Sequence, residues 1–123
     1  MTTVERITQV EHGTPYGAFH ELAGRLGISE ERLRGVLGFA AATLHRRKVA
    51  GRFTLEESNR LYWLESLLET AELVLEDPEE VKDFMTTGNL AFGGAVPLEY
   101  ARTAPGLEAI RRLLLQLDHG VVV

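Results

Sequence analysis

Hydrophobic positions between Thr54 and Glu76 recur three and four residues apart, which is the spacing of one face of an α-helix. The apolar residues of this stretch are Leu61, Tyr62, Trp63, Leu64, Leu67, Leu68, Ala71, Val74 and Leu75. Thr54 and Glu57 stand at the spacing of a capping box, so the helix is predicted to begin there. A helix that is apolar on several sides is predicted to lie at the centre of the fold. Alternatively, this central helix also carries a seam for self-association.

Three shorter helices are predicted before this central helix, each followed by a glycine. The first begins at Thr14-Pro15 and ends before Gly27, because a cap residue followed by proline is typical of a helix start. The second follows Ser29 and ends before Gly38, and the third covers residues 40–50. Their predicted inward-facing side chains are Phe19, Leu22, Ala23, Leu26, Ile28, Leu33, Val36, Leu37 and Leu44.

Residues 1–13 show no clear hydrophobic period. They are predicted to form a loose arm, with a β-strand over residues 4–10 as the alternative. This arm and the three short helices make up the first predicted domain, residues 1–53. The central helix opens the second, residues 54–123.

Two glycine turns among the short helices resemble each other, Leu26-Gly-Ile-Ser29 and Leu37-Gly-Phe-Ala40. A short glycine turn between two helices is typical of a helix-turn-helix. Two registers are therefore possible. In the first, residues 29–37 form the recognition helix, but two glutamates at its start would be repelled by phosphates. In the second, which we prefer, residues 40–50 form the recognition helix.

The preferred recognition helix carries the candidate DNA-binding residues Thr43, His45, Arg46, Arg47 and Lys48. Basic side chains at this position neutralise phosphates. The alternative is that they only complement the negative end of the helix dipole. Ala41 and Ala42 favour that alternative, because they leave few side chains able to contact base edges.

Smaller helices and one glycine-rich loop are predicted after the central helix. Asp77-Pro78, Pro97 and Pro105 each mark a helix start. Residues 87–96 form the loop, and its Gly93-Gly94 pair is interpreted as a turn because neither a P-loop lysine nor a strand accompanies it. Two apolar residues of this loop, Leu90 and Phe92, are predicted to anchor it to the core.

Charge divides the chain into two unlike halves. Residues 1–60 carry nine basic and seven acidic side chains, a net charge of +2. Residues 61–123 carry four basic and eleven acidic side chains, a net charge of −7. Two surfaces with different partners are expected. The chain has no cysteine, no apolar run long enough to span a membrane and no signal peptide at its start, which favours the cytoplasm.

An enzyme is not indicated by these residues. The four histidines are scattered, none at metal-ligand spacing from another, and there is no cysteine nucleophile. Most carboxylates cluster at helix starts, where complementation of the helix dipole explains them. We therefore expect no catalytic residue, no metal and no cofactor.

Four segments, taken in order, resemble a known family. They are residues 37–61 with the run Thr-Leu-His-Arg-Arg-Lys, Asp77-Pro-Glu-Glu80, Asn89-Leu-Ala-Phe-Gly-Gly-Ala-Val-Pro-Leu98 and Asp118-His-Gly120. They resemble the antitoxins of RES–Xre toxin–antitoxin pairs, the MbcA/ParS/Xre group. The resemblance extends over nearly the whole chain.

The resemblance implies an all-α protein, in which a long central helix joins an N-terminal Xre-like helix-turn-helix to a small helical C-terminal toxin-binding domain. It implies as partner a RES-domain toxin that consumes NAD, whose active-site cleft the antitoxin covers. It also implies repression of the antitoxin's own operon. A homodimer, or a larger assembly within the toxin complex, is expected as well.

The toxin-binding surface is predicted to consist of Gly93, Gly94, Pro97, Leu98, His119, Gly120, Val121, Val122 and Val123. An apolar, acidic surface with a valine tail can fill a concave, partly basic nucleotide cleft without any chemistry. Alternatively, the three valines fold back on the core, because leaving them in water is costly.

Two other classes of protein remain open at this stage. The first is a stand-alone helix-turn-helix transcription regulator, which would bind a two-fold DNA site as a dimer. The second is an interaction domain without a toxin partner. A neighbouring gene for a RES-type toxin would favour the antitoxin over both.

Overall fold

The computed structural model describes residues 1–118. Within them the chain forms eight α-helices, one short 3-10 turn and no strand. The helices are α1 (Thr3–His12), α2 (Tyr16–Leu26), α3 (Glu30–Leu37), α4 (Ala41–Ala50), α5 (Leu55–Leu75), α6 (Pro78–Thr86), α7 (Pro97–Tyr100) and α8 (Ala104–Asp118), and the 3-10 turn is Leu90–Phe92. The predicted all-α class is confirmed. No helix in this part of the chain has both the length and the apolar character needed to cross a membrane.

The long helix α5 lies at the centre of the fold, as predicted. Its capping box is formed, since the Thr54 N–H donates to Glu57 at 2.9 Å and the Glu57 N–H donates back to the Thr54 hydroxyl. Helices α1, α2, α6 and α8 pack around it. Its buried side chains are Ser58, Leu61, Leu64, Leu67, Leu68 and Ala71.

One detail of the α5 prediction was wrong. Trp63 is 55% exposed and Tyr62 lies at the surface, so the apolar character of the helix is not buried on every side. Leu67, in contrast, is fully buried within the single chain.

Helix α1 replaces the predicted loose arm and its alternative strand. Thr2 and Glu5 form a capping box at its start. Arg6 donates to both carboxylate oxygens of Glu69 at 2.7 Å, and its guanidinium lies over the ring of Tyr62. Its apolar residues Val4, Ile7 and Val10 recur three residues apart, a helical spacing that the prediction of a loose arm overlooked.

The residues before α2 pair with the chain after α4. Thr14 was expected to cap α2, but the helix begins at Tyr16 and Thr14 is buried. The Thr14 N–H donates to the Ser58 hydroxyl at 2.8 Å, and the Thr14 carbonyl accepts from the Phe53 N–H at 2.9 Å. The first bond attaches Thr14 to α5, and the second joins the segment before α2 to the segment after α4.

Four aromatic rings fill the centre of the N-terminal half. They are Tyr16, Phe19, Phe39 and Phe53, with neighbouring ring centroids 5.6 to 5.9 Å apart. Phe39 directly precedes Ala40, the N-cap of α4, and Phe53 lies two residues after Gly51, its C-cap. The cluster therefore holds both ends of α4, whose own Leu44 is partly buried against the core as predicted.

Candidate functional site

Helix α4 presents its basic side chains in two different ways. His45, Arg46 and Lys48 are exposed, and Arg46 donates only to the Thr43 hydroxyl at 3.2 Å. Arg47 instead is half-buried and donates to both oxygens of Glu57, at 2.6 and 3.1 Å. Arg47 therefore attaches α4 to the start of α5, whereas the other cations face the solvent.

The Arg47–Glu57 pair shifts the pKa values of both side chains. Burial acts to raise the pKa of the Glu57 carboxyl, but the hydrogen bonds from Arg47 and Thr54 outweigh it, so this pKa is lowered. The hydrogen bond to Glu57 in turn raises the pKa of Arg47. Glu57 thus caps α5 and holds α4 at the same time.

Helix α3, the other candidate recognition helix, is held on more than one side. Its leading glutamates are paired, Glu30 with His20 at 3.0 Å and Glu31 with Arg34. Arg32 lies 3.9 Å from Glu99 of α7. The pairs with His20 and Glu99 join α3 to α2 and α7, whereas the Glu31–Arg34 pair lies within α3 itself.

The 88–96 loop is irregular but extensively hydrogen-bonded, with Asn89 at its centre. The Asn89 N–H donates to Ala95, and its carbonyl accepts from Phe92 and Gly94, at 2.9 to 3.1 Å. Its side-chain oxygen accepts from the Ala91 N–H at 2.8 Å. Gly93 and Gly94 adopt φ of +65° and +89°, which favours glycine at both positions.

Leu90 points away from the protein, contrary to the prediction that it anchors the loop. Its side chain is 95% exposed. The anchor is Phe92, which is half-buried and stacks on Tyr100 of α7 with ring centroids 5.0 Å apart. The prediction for Phe92 is therefore confirmed and the one for Leu90 was wrong.

The short helix α7 and the start of α8 hold this loop from behind. Tyr100, which stacks on Phe92, places its carbonyl oxygen against Gly106. A Cβ at Gly106 would lie 1.8 Å from that oxygen, so only glycine fits there without movement. The Thr103 hydroxyl accepts from the Gly106 N–H at 3.1 Å and caps α8.

Comparison with protein-family models gives two matches that together span most of the chain. Residues 5–65 match the antitoxin Xre-like helix-turn-helix domain. Residues 70–120 match the antitoxin Xre/MbcA/ParS C-terminal toxin-binding domain. The chain belongs to the Xre/MbcA/ParS family of antitoxins. No curated protein matches it.

The family assignment gives each half of the antitoxin its role. The N-terminal match contains α4, and the C-terminal match contains the 88–96 loop. The two matched segments meet within α5, between residues 65 and 70. The antitoxin thus has a helix-turn-helix part and a toxin-binding part that share one central helix. Proteins of this family are typically regulatory and binding proteins.

The structure brings together only part of the predicted toxin-binding set. Gly93 and Gly94 are exposed in the 88–96 loop. Pro97 and Leu98 are buried, so they support the loop from within the core and do not form its surface. The remaining predicted residues, His119, Gly120, Val121, Val122 and Val123, lie outside the described part of the chain.

Sequence reasoning missed two residues that shape these surfaces. Asn89 organises the loop, and the only sign of it is its position four and five residues before Gly93-Gly94. Glu57 was assigned to the capping box alone, and nothing in the sequence indicates its pairing with Arg47. In residues 1–118 no group of three or more His, Asp or Glu side chains is arranged to hold a metal ion.

Proposed function

We propose that the antitoxin neutralises a RES-domain toxin that consumes NAD, by covering the toxin's active site with its C-terminal part. The observation that carries this proposal is the 88–96 loop, an exposed and preformed surface inside the segment that matches a toxin-binding domain. A preformed surface binds with little loss of conformational entropy. Occlusion needs no catalytic group and no cofactor on the antitoxin.

Charge supports a nucleotide-binding partner. The toxin-binding half carries a net charge of −7 over residues 61–123. A cleft that binds the pyrophosphate of NAD requires positive groups, and an acidic surface complements them. In this proposal Gly93 and Gly94 contact the toxin, Pro97 and Leu98 hold the loop in place, and His119, Gly120 and the three terminal valines complete the surface.

The test is protection from NAD depletion. The purified toxin is incubated with NAD alone, with the full antitoxin, and with an antitoxin that lacks residues 118–123. The full chain is expected to stop NAD loss, and the truncated chain is expected to lose this protection. Melting of the truncated chain, followed by circular dichroism, serves as the folding control. Full protection by a folded truncated chain would reject the contribution of the tail, and failure of the full chain would reject the function.

We further propose that the antitoxin represses its own operon through α4. Thr43, His45, Arg46 and Lys48 would contact the DNA, and Arg47 would position the helix. The exposure of these cations, beside an Arg47 already bonded to Glu57, supports this division of roles. Residues 1–53 would then be the DNA-binding domain and residues 54–123 the toxin-binding domain.

A homodimer is the state that we propose on DNA, because helix-turn-helix proteins read two-fold sites as dimers. The groove between α1 and α5 offers a surface for a second copy, with Ile7, Leu55 and Tyr62 exposed along it. Two measurements distinguish an antitoxin from a stand-alone regulator. Gel shifts on the promoter, with and without toxin, report DNA binding, and light scattering reports the mass of the assembly. A regulator would bind equally well without any toxin.

A further inference from the structure

Leu90 is the most exposed large apolar side chain in residues 1–118, at 95%, ahead of Leu73 at 79% and Val49 at 77%. Single exposed apolar residues are ordinary on soluble proteins. What distinguishes Leu90 is the construction of the loop that carries it. Its side chain takes no part in the core, yet the Leu90 carbonyl and the backbone of Asn89, Phe92, Gly93 and Gly94 are hydrogen-bonded within the loop.

The loop holds Leu90 outward in the free protein. The Gly93 N–H donates to the Leu90 carbonyl at 3.1 Å, and the Asn89 bonds close the loop on both sides. Gly88 lies against the loop's other end, where a Cβ would come 2.6 Å from the Gly94 oxygen. A side chain presented in this way loses little backbone entropy when it binds.

The surroundings of Leu90 have the composition of an interface centre. Residues 88–98 contain no charged side chain, within a half of the chain that carries −7 overall. Acidic residues stand beside the loop, since Glu80 and Asp83 line the groove next to Asn89. Protein interfaces commonly have an apolar centre depleted of charge and a polar rim.

We propose that Leu90 inserts into an apolar socket on the toxin, flanked by basic groups that face Glu80 and Asp83, and that this contact selects the cognate toxin. The proposal rests on the toxin-neutralising function above and names the side chain through which it acts. It differs from occlusion by the C-terminal tail, because it places affinity and selectivity in the 88–96 loop.

The test is the dissociation constant of the full-length antitoxin for its toxin, measured by titration calorimetry. Leu90→Ala is expected to weaken binding by about 30-fold, the effect of removing one anchor side chain from an interface centre. Leu90→Asp is expected to weaken it further. The matched control is Leu73→Asp, because Leu73 is also a highly exposed leucine but lies on α5; this variant should change affinity by less than about threefold. Melting temperatures of the Leu90 variants should stay unchanged, because Leu90 makes no core contact.

Each alternative gives a different result. Unchanged affinity of Leu90→Ala, with wild-type binding intact, overturns this proposal and leaves neutralisation standing. Equal losses in Leu90→Asp and Leu73→Asp assign the effect to the added charge and also overturn it. Conversion of an antitoxin dimer to a monomer by Leu90→Asp, seen by light scattering, would place Leu90 between two copies and overturn it. Absence of binding by the wild type rejects the proposed function, and this proposal with it.

Discussion

Helix α4 and the 88–96 loop are both exposed, but they are fixed to the protein in opposite ways. Helix α4 satisfies its own backbone and buries no residue completely, so its position depends on the partly buried Leu44, on the Arg47–Glu57 pair and on the aromatic rings at its two ends. The loop has almost no regular structure. Its shape depends on the hydrogen bonds of Asn89 and on the stacking of Phe92 against Tyr100.

This difference shows that regular secondary structure does not measure how firmly a surface is held. Phosphate contacts tolerate adjustment of a helix, because long cationic side chains supply most of the reach. A protein interface requires complementary shapes, so a preformed loop is better suited to it. DNA binding is therefore proposed for the helix α4, and toxin binding for the preformed 88–96 loop.

The largest effect is expected from breaking the support of the loop with Gly106→Ala. The added Cβ would lie 1.8 Å from the Tyr100 carbonyl oxygen, so α7 must move away from α8 and carry Tyr100 with it. We expect a loss of about 3 kcal/mol in the free energy of unfolding, a fall of roughly 10 °C in melting temperature, and weaker toxin binding. Circular dichroism melting measures the loss of stability, and titration calorimetry measures toxin binding.

Gly35→Ala is the matched control for that substitution. Gly35 also lies within a helix, but no atom stands within 4 Å of its added Cβ. Alanine is the better helix former, so this variant should be stabilised by up to about 1 kcal/mol. If both variants melt alike, the loop does not depend on the contact between Tyr100 and Gly106.

The attachment of α4 is tested by comparing Arg46→Ala with Arg47→Ala in DNA binding. Arg46 faces solvent, so its removal should weaken DNA binding at low salt and reduce the slope of log K against log salt by about 1. It should leave the melting temperature unchanged. Arg47→Ala breaks the bonds to Glu57 and should lower the melting temperature. Gel shifts over a salt series and thermal melts give both readouts, and an equal loss of stability in the two variants would contradict the assigned roles.

The smallest effect is expected at a site remote from both surfaces, Glu65 on α5. Burial raises the pKa of its carboxyl, although Arg25 and Arg6 partly oppose the shift. A raised folded-state pKa means that the ionised form costs stability at neutral pH, and that this cost disappears as pH falls through the raised value. Glu65→Gln should therefore raise the melting temperature at pH 7 and match the wild type at about pH 4.

The same change at Glu108, an exposed residue of α8, is the control for Glu65→Gln. It should leave the melting temperature nearly unchanged at both pH values. A Glu65→Gln variant that is less stable than the wild type at pH 7 would show that attraction to Arg25 and Arg6 outweighs burial. Neither variant should alter DNA or toxin binding, which keeps the comparison of α4 and the loop separate from overall stability.

Sequence periodicity was sufficient to predict α5, its capping box, the buried faces of α2 and α3 and the glycines that end them. These features depend on residues within about one or two helical turns of each other, so the local sequence is enough to predict them.

Only the tertiary structure decided the remaining features. It pairs Arg6 with Glu69 and so attaches α1 to α5. It also pairs Arg47 with Glu57, buries Pro97 and Leu98, and exposes Leu90 to solvent. In each case the deciding partner lies ten or more residues away, or is the solvent itself. A local pattern fixes which side chains share a face, but only packing of the whole chain determines which faces meet.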